Sequence, residues 1–209
     1  GTGCQKRQEQ QKSLHREIVL STAYQQSNTG NKNAARLDPE NRWVWRMNRR
    51  RLDWEAFRDA HLFVSDSIDN RIGGASVDIG GASFVERRTL YGYIDRLDLP
   101  GLFTTFDFPS PASTNSQRDE TTIAPQALFQ MNHPFATEAA NRLLRRSDVA
   151  DRTSNIEKID RIYGVIFQRS PTGEERQLAA TYLGESPNDD RWRRFVHALL
   201  MTNEFVFVD

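Results

Sequence analysis

The chain has 209 residues, enough to bury one sizeable core or two small ones. Its 28 basic residues are balanced by 28 acidic ones, so no net field draws it to nucleic acid or to an anionic membrane surface. A single cysteine, Cys4, excludes an intrachain disulfide, a cysteine metal cage and a Cys-x-x-Cys-His haem attachment; no apolar run approaches the roughly 20 residues of a membrane span.

Residues 1–12 are polar and Gln-rich without an apolar period, and read as a disordered tail ahead of a single domain over 13–209. A helix is predicted from Ser13 to about Gln25, burying Leu14 and Ile18. Asn28, Gly30, Asn31 and Asn33 mark a loop over 27–41, and Trp43 to Arg51 mixes aromatic and basic side chains. Asp53 has the character of an N-cap, with Glu55 in the first turn where negative charge is favoured. Trp54, Phe57, His61, Val64 and Ile68 follow at steps of three and four, the apolar face of a helix ending near Asp69.

Ile72-Gly-Gly-Ala-Ser76 recurs as Ile79-Gly-Gly-Ala-Ser83, too short a period for a solenoid unit. It is not GxGxxG and no apolar strand precedes it, which argues against a phosphate loop. Phe84 to Ile94, rich in Val, Thr, Tyr and Ile, is the best strand candidate, and 107–121 reads as a long irregular segment of the sort that is often functional. Pro125 opens a helix, Pro134 breaks it, and Phe135 to Arg146 continues. Ser154 with Glu157, and Thr172 with Glu175, have capping-box spacing. Ile159, Ile162, Tyr163, Ile166 and Phe167 form one apolar face; Trp192, Phe195, Val196, Leu199 and Leu200 form another. The predicted fold is mainly α, with an amphipathic C-terminal bundle and a small β element near 85–94.

Several separate stretches resemble one family, in order and in register. They are Leu14-His-Arg-Glu-Ile-Val-Leu-Ser-Thr-Ala-Tyr, Arg49-Arg-Arg-Leu-Asp53, the Gly73-Gly74 pair and Arg87-Arg-Thr-Leu-Tyr91. Asp107-Phe-Pro, Arg118, Thr121, Thr122, Pro125, Gln126, Asn132 and Leu199-Leu-Met-Thr-Asn-Glu-Phe205 complete the pattern. Together they resemble the planctomycete-type PSD1 family, DUF1553, a domain of unknown function, from about residue 14 to the end. Family members carry more sequence before the first helix, so the chain is expected to be the C-terminal portion of a larger PSD1 region. The resemblance implies an exported, periplasmic or cell-surface multidomain protein with c-type cytochrome modules nearby. It places any haem in other domains of that parent and leaves this chain without a cofactor.

Two constellations have a chemical reading. Arg49, Arg50 and Arg51 with Trp43, Trp45 and Trp54 suit phosphate contact with stacking, or an anionic polysaccharide. Equally they suit an Arg cluster paired with Asp53, Glu55 and Asp59 while Trp fills the core; neutral net charge argues against nucleic acid. Asp107, Arg118, Thr121, Thr122, Gln126 and Asn132 stand among Phe106, Phe108, Leu128, Phe129 and Phe135. They are either a hydrogen-bond network pinning the Pro-rich loop, or a polar pocket with Arg118 as anion clamp and Asp107 as acceptor or general base.

The histidines His15, His61, His133 and His197 lack zincin spacing; His61 reads as a core histidine and His133 is the best-placed metal candidate of a set expected to hold none. No Gly-x-Ser-x-Gly elbow supports a hydrolase triad. The expected function is a non-catalytic binding or scaffold module contacting other domains of its parent or an anionic polysaccharide. The alternative is part of an enzyme acting on complex polysaccharide, sulfated or not, around Arg118 and Asp107.

Overall fold

A computed structural model describes residues 2–27 and 30–208, with side chains from residue 9 onward; Asn28 of the expected loop lies outside the described residues. The chain divides into two compact units, one running to Arg50 and taking in Phe207 and Val208, the other Arg51–Val206.

In the first unit, helix α1 spans Thr2–Val19. It therefore begins within the stretch read as a tail and ends before the expected Gln25. Leu14 and Ile18 are 55% and 47% exposed rather than buried, in keeping with a sequence that has no apolar stripe wide enough to form a core face. Helix α2, Lys32–Leu37, is capped by Asn31, whose side-chain oxygen accepts from the Asn33 and Ala34 amides. The only sheet among the described residues pairs the two-residue strands β1, Arg50–Arg51, and β2, Phe207–Val208.

The second unit is helical: α3 Trp54–Val64, α4 Gly101–Thr105, α5 Ala124–Asn132, α6 Pro134–Arg145, α7 Ser147–Ala150, α8 Asn155–Ile166, α9 Gly173–Leu183, α10 Asp189–Leu200 and α11 Asn203–Val206. Asp53 caps α3 by accepting from the Ala56 amide. Trp54, Phe57, His61 and Val64 of its predicted face are buried. The helix stops at Val64 rather than near Asp69, because Asp66 turns into the left-handed region at φ 55°. Pro125 lies in the first turn of α5 and Pro134 opens α6. The Thr172–Glu175 capping box closes in both directions. Ser154 caps α8 through the Ile156 amide, where sequence spacing had pointed to a reciprocal box with Glu157.

Helices α8, α9 and α10 pack on one another as expected, but the most extensive partner of α10 is α6. The buried stripe of α6 is Phe135, Ala136, Ala139, Ala140 and Leu143. Its small residues let the α10 face of Trp192, Phe195, Val196, Leu199 and Leu200 approach closely.

The expected β element near 85–94 does not form a strand. Residues Thr89–Tyr91 make a 3-10 turn, and the flanking backbone forms two isolated bridges, Asp69 with Arg87 and Val77 with Gly92. The two Ile-Gly-Gly-Ala-Ser copies are also not equivalent. Gly73 and Gly74 are left-handed and Ile72 is 96% exposed, whereas Ile79 is buried.

Candidate functional site

The second unit carries five of the sequence-predicted site residues, on or beside the irregular segment 107–123. Asp107 sits at φ 56°, a conformation Asp tolerates better than most residues. Its carboxylate accepts from the Thr121 amide at 2.8 Å and from the Thr121 hydroxyl at 2.8 and 2.9 Å. Gln126 is 1% exposed; its amide nitrogen donates to the Thr105 carbonyl at 2.8 Å, and its oxygen accepts from the Ile123 amide at 3.1 Å. That second bond supplies the α5 N-terminus with the cap that the Ile123 side chain cannot provide.

Arg118 spans from the loop to the start of α3. Nη1 and Nη2 donate to the two oxygens of Glu55 at 2.8 and 2.6 Å, Asp53 lies at 3.5 Å, and the guanidinium stands 5.4 Å from the Phe108 ring centre. The hydrogen bonds to Glu55 hold the Arg118 pKa above its ordinary value. Burial pushes Glu55 upward, but the bonds from Arg118 outweigh it and leave its carboxyl below the usual range. Two carboxylates thus meet one guanidinium, and the fork expected to clamp an anion is filled from within the chain.

Thr122 and Asn132 are not drawn into this cluster. Thr122 is exposed, and the exposed Asn132 folds back on its own helix to donate to the Leu128 carbonyl at 3.1 Å. Arg51 lies over the Phe106 ring at 5.1 Å; burial lowers its pKa and the nearby Asp107 charge opposes that.

The remaining predicted residues belong to the first unit. Trp45 donates its indole N–H to the Asp38 carbonyl at 2.8 Å and carries the Arg46 guanidinium 5.2 Å from its ring centre. Arg49 lies over the Phe207 ring at 5.6 Å, and Arg50 is exposed in β1. Trp54 belongs instead to the core of the second unit, 1% exposed among Phe103, Phe106 and Phe129. Asp53 and Glu55, expected to pair with the Arg49–Arg51 run, serve Arg118, and Asp59 receives Arg88 and Thr89.

Sequence reasoning missed Arg58. It is 2% exposed, and burial lowers its pKa to about 10, so it stays charged at neutral pH. Nη1 donates to the Arg87 carbonyl at 2.8 Å and to the Thr89 hydroxyl at 3.2 Å, Nη2 donates to the Val85 carbonyl, and Phe135 lies beneath at 5.4 Å. Asp59, next in sequence, accepts from the Thr89 amide at 2.8 Å and from its hydroxyl at 2.7 Å. The signal was available: position 58 lies four after Trp54 and three before His61, within the buried face of α3.

His61 is a core histidine. Its Nδ1–H donates to the Phe57 carbonyl at 2.8 Å, rings of Phe57, Phe135 and Phe205 enclose it, and burial lowers its pKa to about 4. His133, the best-placed metal candidate, caps α6 by accepting from the Phe135 amide at 3.2 Å and stacks on Phe129. His197 donates to the Gln130 carbonyl at 2.7 Å. Among the described residues no group of three or more His, Cys, Asp or Glu side chains is placed to hold a metal ion, and no helix is long and apolar enough to cross a membrane.

Comparison with known proteins agrees with the resemblance. The PSD1 profile, described as a protein of unknown function (DUF1553), matches residues 4–183, from within α1 to the last residue of α9. No curated protein and no solved structure matches. The match begins earlier than the resemblance read from residue 14 and stops before the Leu199 to Phe205 motif. The chain belongs to the PSD1 family of proteins of unknown function.

Proposed function

We propose that this chain is a non-catalytic scaffold or binding module of an exported multidomain protein that also carries c-type cytochrome modules. The observation that carries the non-catalytic reading is the Arg118–Glu55 pair. The cation best suited to hold an anionic substrate is engaged through both terminal nitrogens by a carboxylate of the same chain. Asp107, the best-placed general base, has both oxygens on Thr121. Groups so employed hold a Pro-rich loop against α3 and give its neighbours a fixed surface. The setting is the one the PSD1 resemblance implies: the parent would hold the haem and this chain would hold the parent's other domains.

The test is incubation of the chain with neutral, carboxylated and sulfated polysaccharides, followed by assay for new reducing ends, released sulfate and unsaturated products. No product is expected from any of them. Turnover that disappears in Asp107→Asn or Arg118→Met, with folding intact, would establish the competing reading of an enzyme acting on complex polysaccharide.

A further inference from the structure

The loop after α2 is tightly bonded, and its bonding turns one large aromatic ring out to solvent. Asp38 is 5% exposed, and its carboxylate accepts from the Arg42 amide at 2.9 Å and the Trp43 amide at 2.8 Å. Asn41 is 6% exposed; its side chain donates to the Arg46 carbonyl and to the Asn48 side chain, both at 2.9 Å, and accepts from the Arg46 amide at 3.3 Å. Trp45 ties in from the other side through its indole bond to the Asp38 carbonyl. Between these anchors Val44 is held at φ 49°, where a β-branched residue is strained.

Trp45 points inward as a result, and Trp43, two positions earlier, is 78% exposed. The Trp43 indole forms one wall of a cleft of about 380 Å³ that Leu37, Asp38, Pro39, Glu40 and Arg42 complete. The volume falls in the range of small-ligand clefts, roughly 300–1,000 Å³. Apolar contact comes from one indole, Leu37 and Pro39. Polar contact comes from Glu40, an acceptor, and Arg42, a donor, 3.7 Å apart and 77% and 79% exposed in their side chains.

A ligand that fits this lining has one apolar face for the indole and a rim of groups that both donate and accept. A pyranose ring has that form: axial C–H bonds on one face, hydroxyls around the edge. Charge sharpens the choice. Two acidic residues, Asp38 and Glu40, and one guanidinium, Arg42, are among the lining residues, so the cleft offers no excess positive charge to a uronate, a sulfate or a nucleotide phosphate. We propose that this cleft binds a neutral saccharide, with one sugar ring stacked on Trp43 and its hydroxyls shared between Glu40 and Arg42. The site gives the binding module proposed above a ligand class and rests on that reading, but it uses none of the Arg118 cluster.

The test is calorimetric titration of the full chain with neutral hexasaccharides of β-glucose, β-xylose, β-mannose, α-glucose and N-acetylglucosamine, with hexagalacturonate as the anionic control. At least one neutral hexasaccharide should bind. Trp43→Ala should weaken it by about tenfold or more, as expected when a stacked anchor is truncated. Trp43→Tyr should retain binding, and both variants should melt with the parent because the ring is exposed. Absence of binding by every neutral probe, binding unchanged in Trp43→Ala, or binding of hexagalacturonate alone would each overturn the site. So would a self-association in sedimentation velocity that Trp43→Ala abolishes while no sugar binds, since Trp43 would then be a protein contact. The recovered oligosaccharides separate the two proposals. Intact sugar that fails to bind sinks only the Trp43 site, whereas shortened sugar sinks the non-catalytic reading.

Discussion

Nη1 of Arg58, on α3, donates to the main-chain carbonyl of Arg87, 29 residues later, at 2.8 Å. With its bonds to Val85 and Thr89, this guanidinium takes the place that a neighbouring strand would hold beside residues 85–89. Replacing it with Met leaves buried acceptors without donors, and Arg58→Met should cost about 3 kcal/mol in urea unfolding. Arg58→Lys should recover little of this, because one ammonium cannot reproduce a planar fork serving several acceptors. Amide exchange over 85–92 should accelerate in both variants. Unchanged unfolding of Arg58→Met would show that the segment is held by other contacts.

His61 gives the fold a definite pH dependence. Its pKa falls from an ordinary 6.5 to about 4 because burial disfavours the charged ring. Between those values the unfolded chain binds a proton that the folded chain does not, so stability rises with pH through this window and is lost as pH falls. The expected loss is about 1.4 kcal/mol per pH unit while only the unfolded state is protonated. Urea midpoints measured from pH 7 to pH 4 should fall accordingly, and His61→Leu should flatten the slope.

Gly92 is required by contact rather than by dihedral angle. A β-carbon there would lie 2.3 Å from Cδ1 and 2.8 Å from Cγ1 of Ile79, with the Thr89 carbonyl oxygen at 3.1 Å. Gly92→Ala should destabilise by about 1–3 kcal/mol, the usual cost of overpacking. Ile79→Val in the same chain should return part of that by removing Cδ1. Equal losses in the single and double variants would place the strain elsewhere.

Features written in neighbouring residues were legible in the sequence. Asp53 and Thr172 cap their helices with residues three positions away, and the α10 face follows from its own spacing. The family was legible because its motifs are local and ordered. Distant pairings were not. The composition of 84–94 suits a strand, but Arg58 and Asp59 engage its backbone from another element and bend it into a turn. Glu55 read as a charge at a helix start, and its partner Arg118 lies 63 positions along. Of the residues singled out from the sequence, Asp107, Arg118 and Gln126 each hold the 107–123 segment or its edge through separate partners: Thr121, Glu55, and Thr105 with Ile123. Asn132, six positions after Gln126 on α5, lies on a different face and bonds its own helix, and Thr122, ahead of the helix, is exposed. Trp43 and Trp45 are alike in sequence; only the Asp38 and Asn41 bonds decide which ring faces out.

The structural role of the Arg118 cluster is tested most directly by a double-mutant cycle on Arg118 and Glu55, read by urea denaturation. Both side chains are about one-third exposed, so solvent limits the pair, and a coupling of about 0.5–1 kcal/mol is expected for a two-bond contact. Arg118→Ala should lower the midpoint, and Glu55→Ala should make most of that loss disappear on combination. Zero coupling, with Arg118→Ala as stable as the parent, would contradict a structural role and return Arg118 to the list of groups free to hold a ligand.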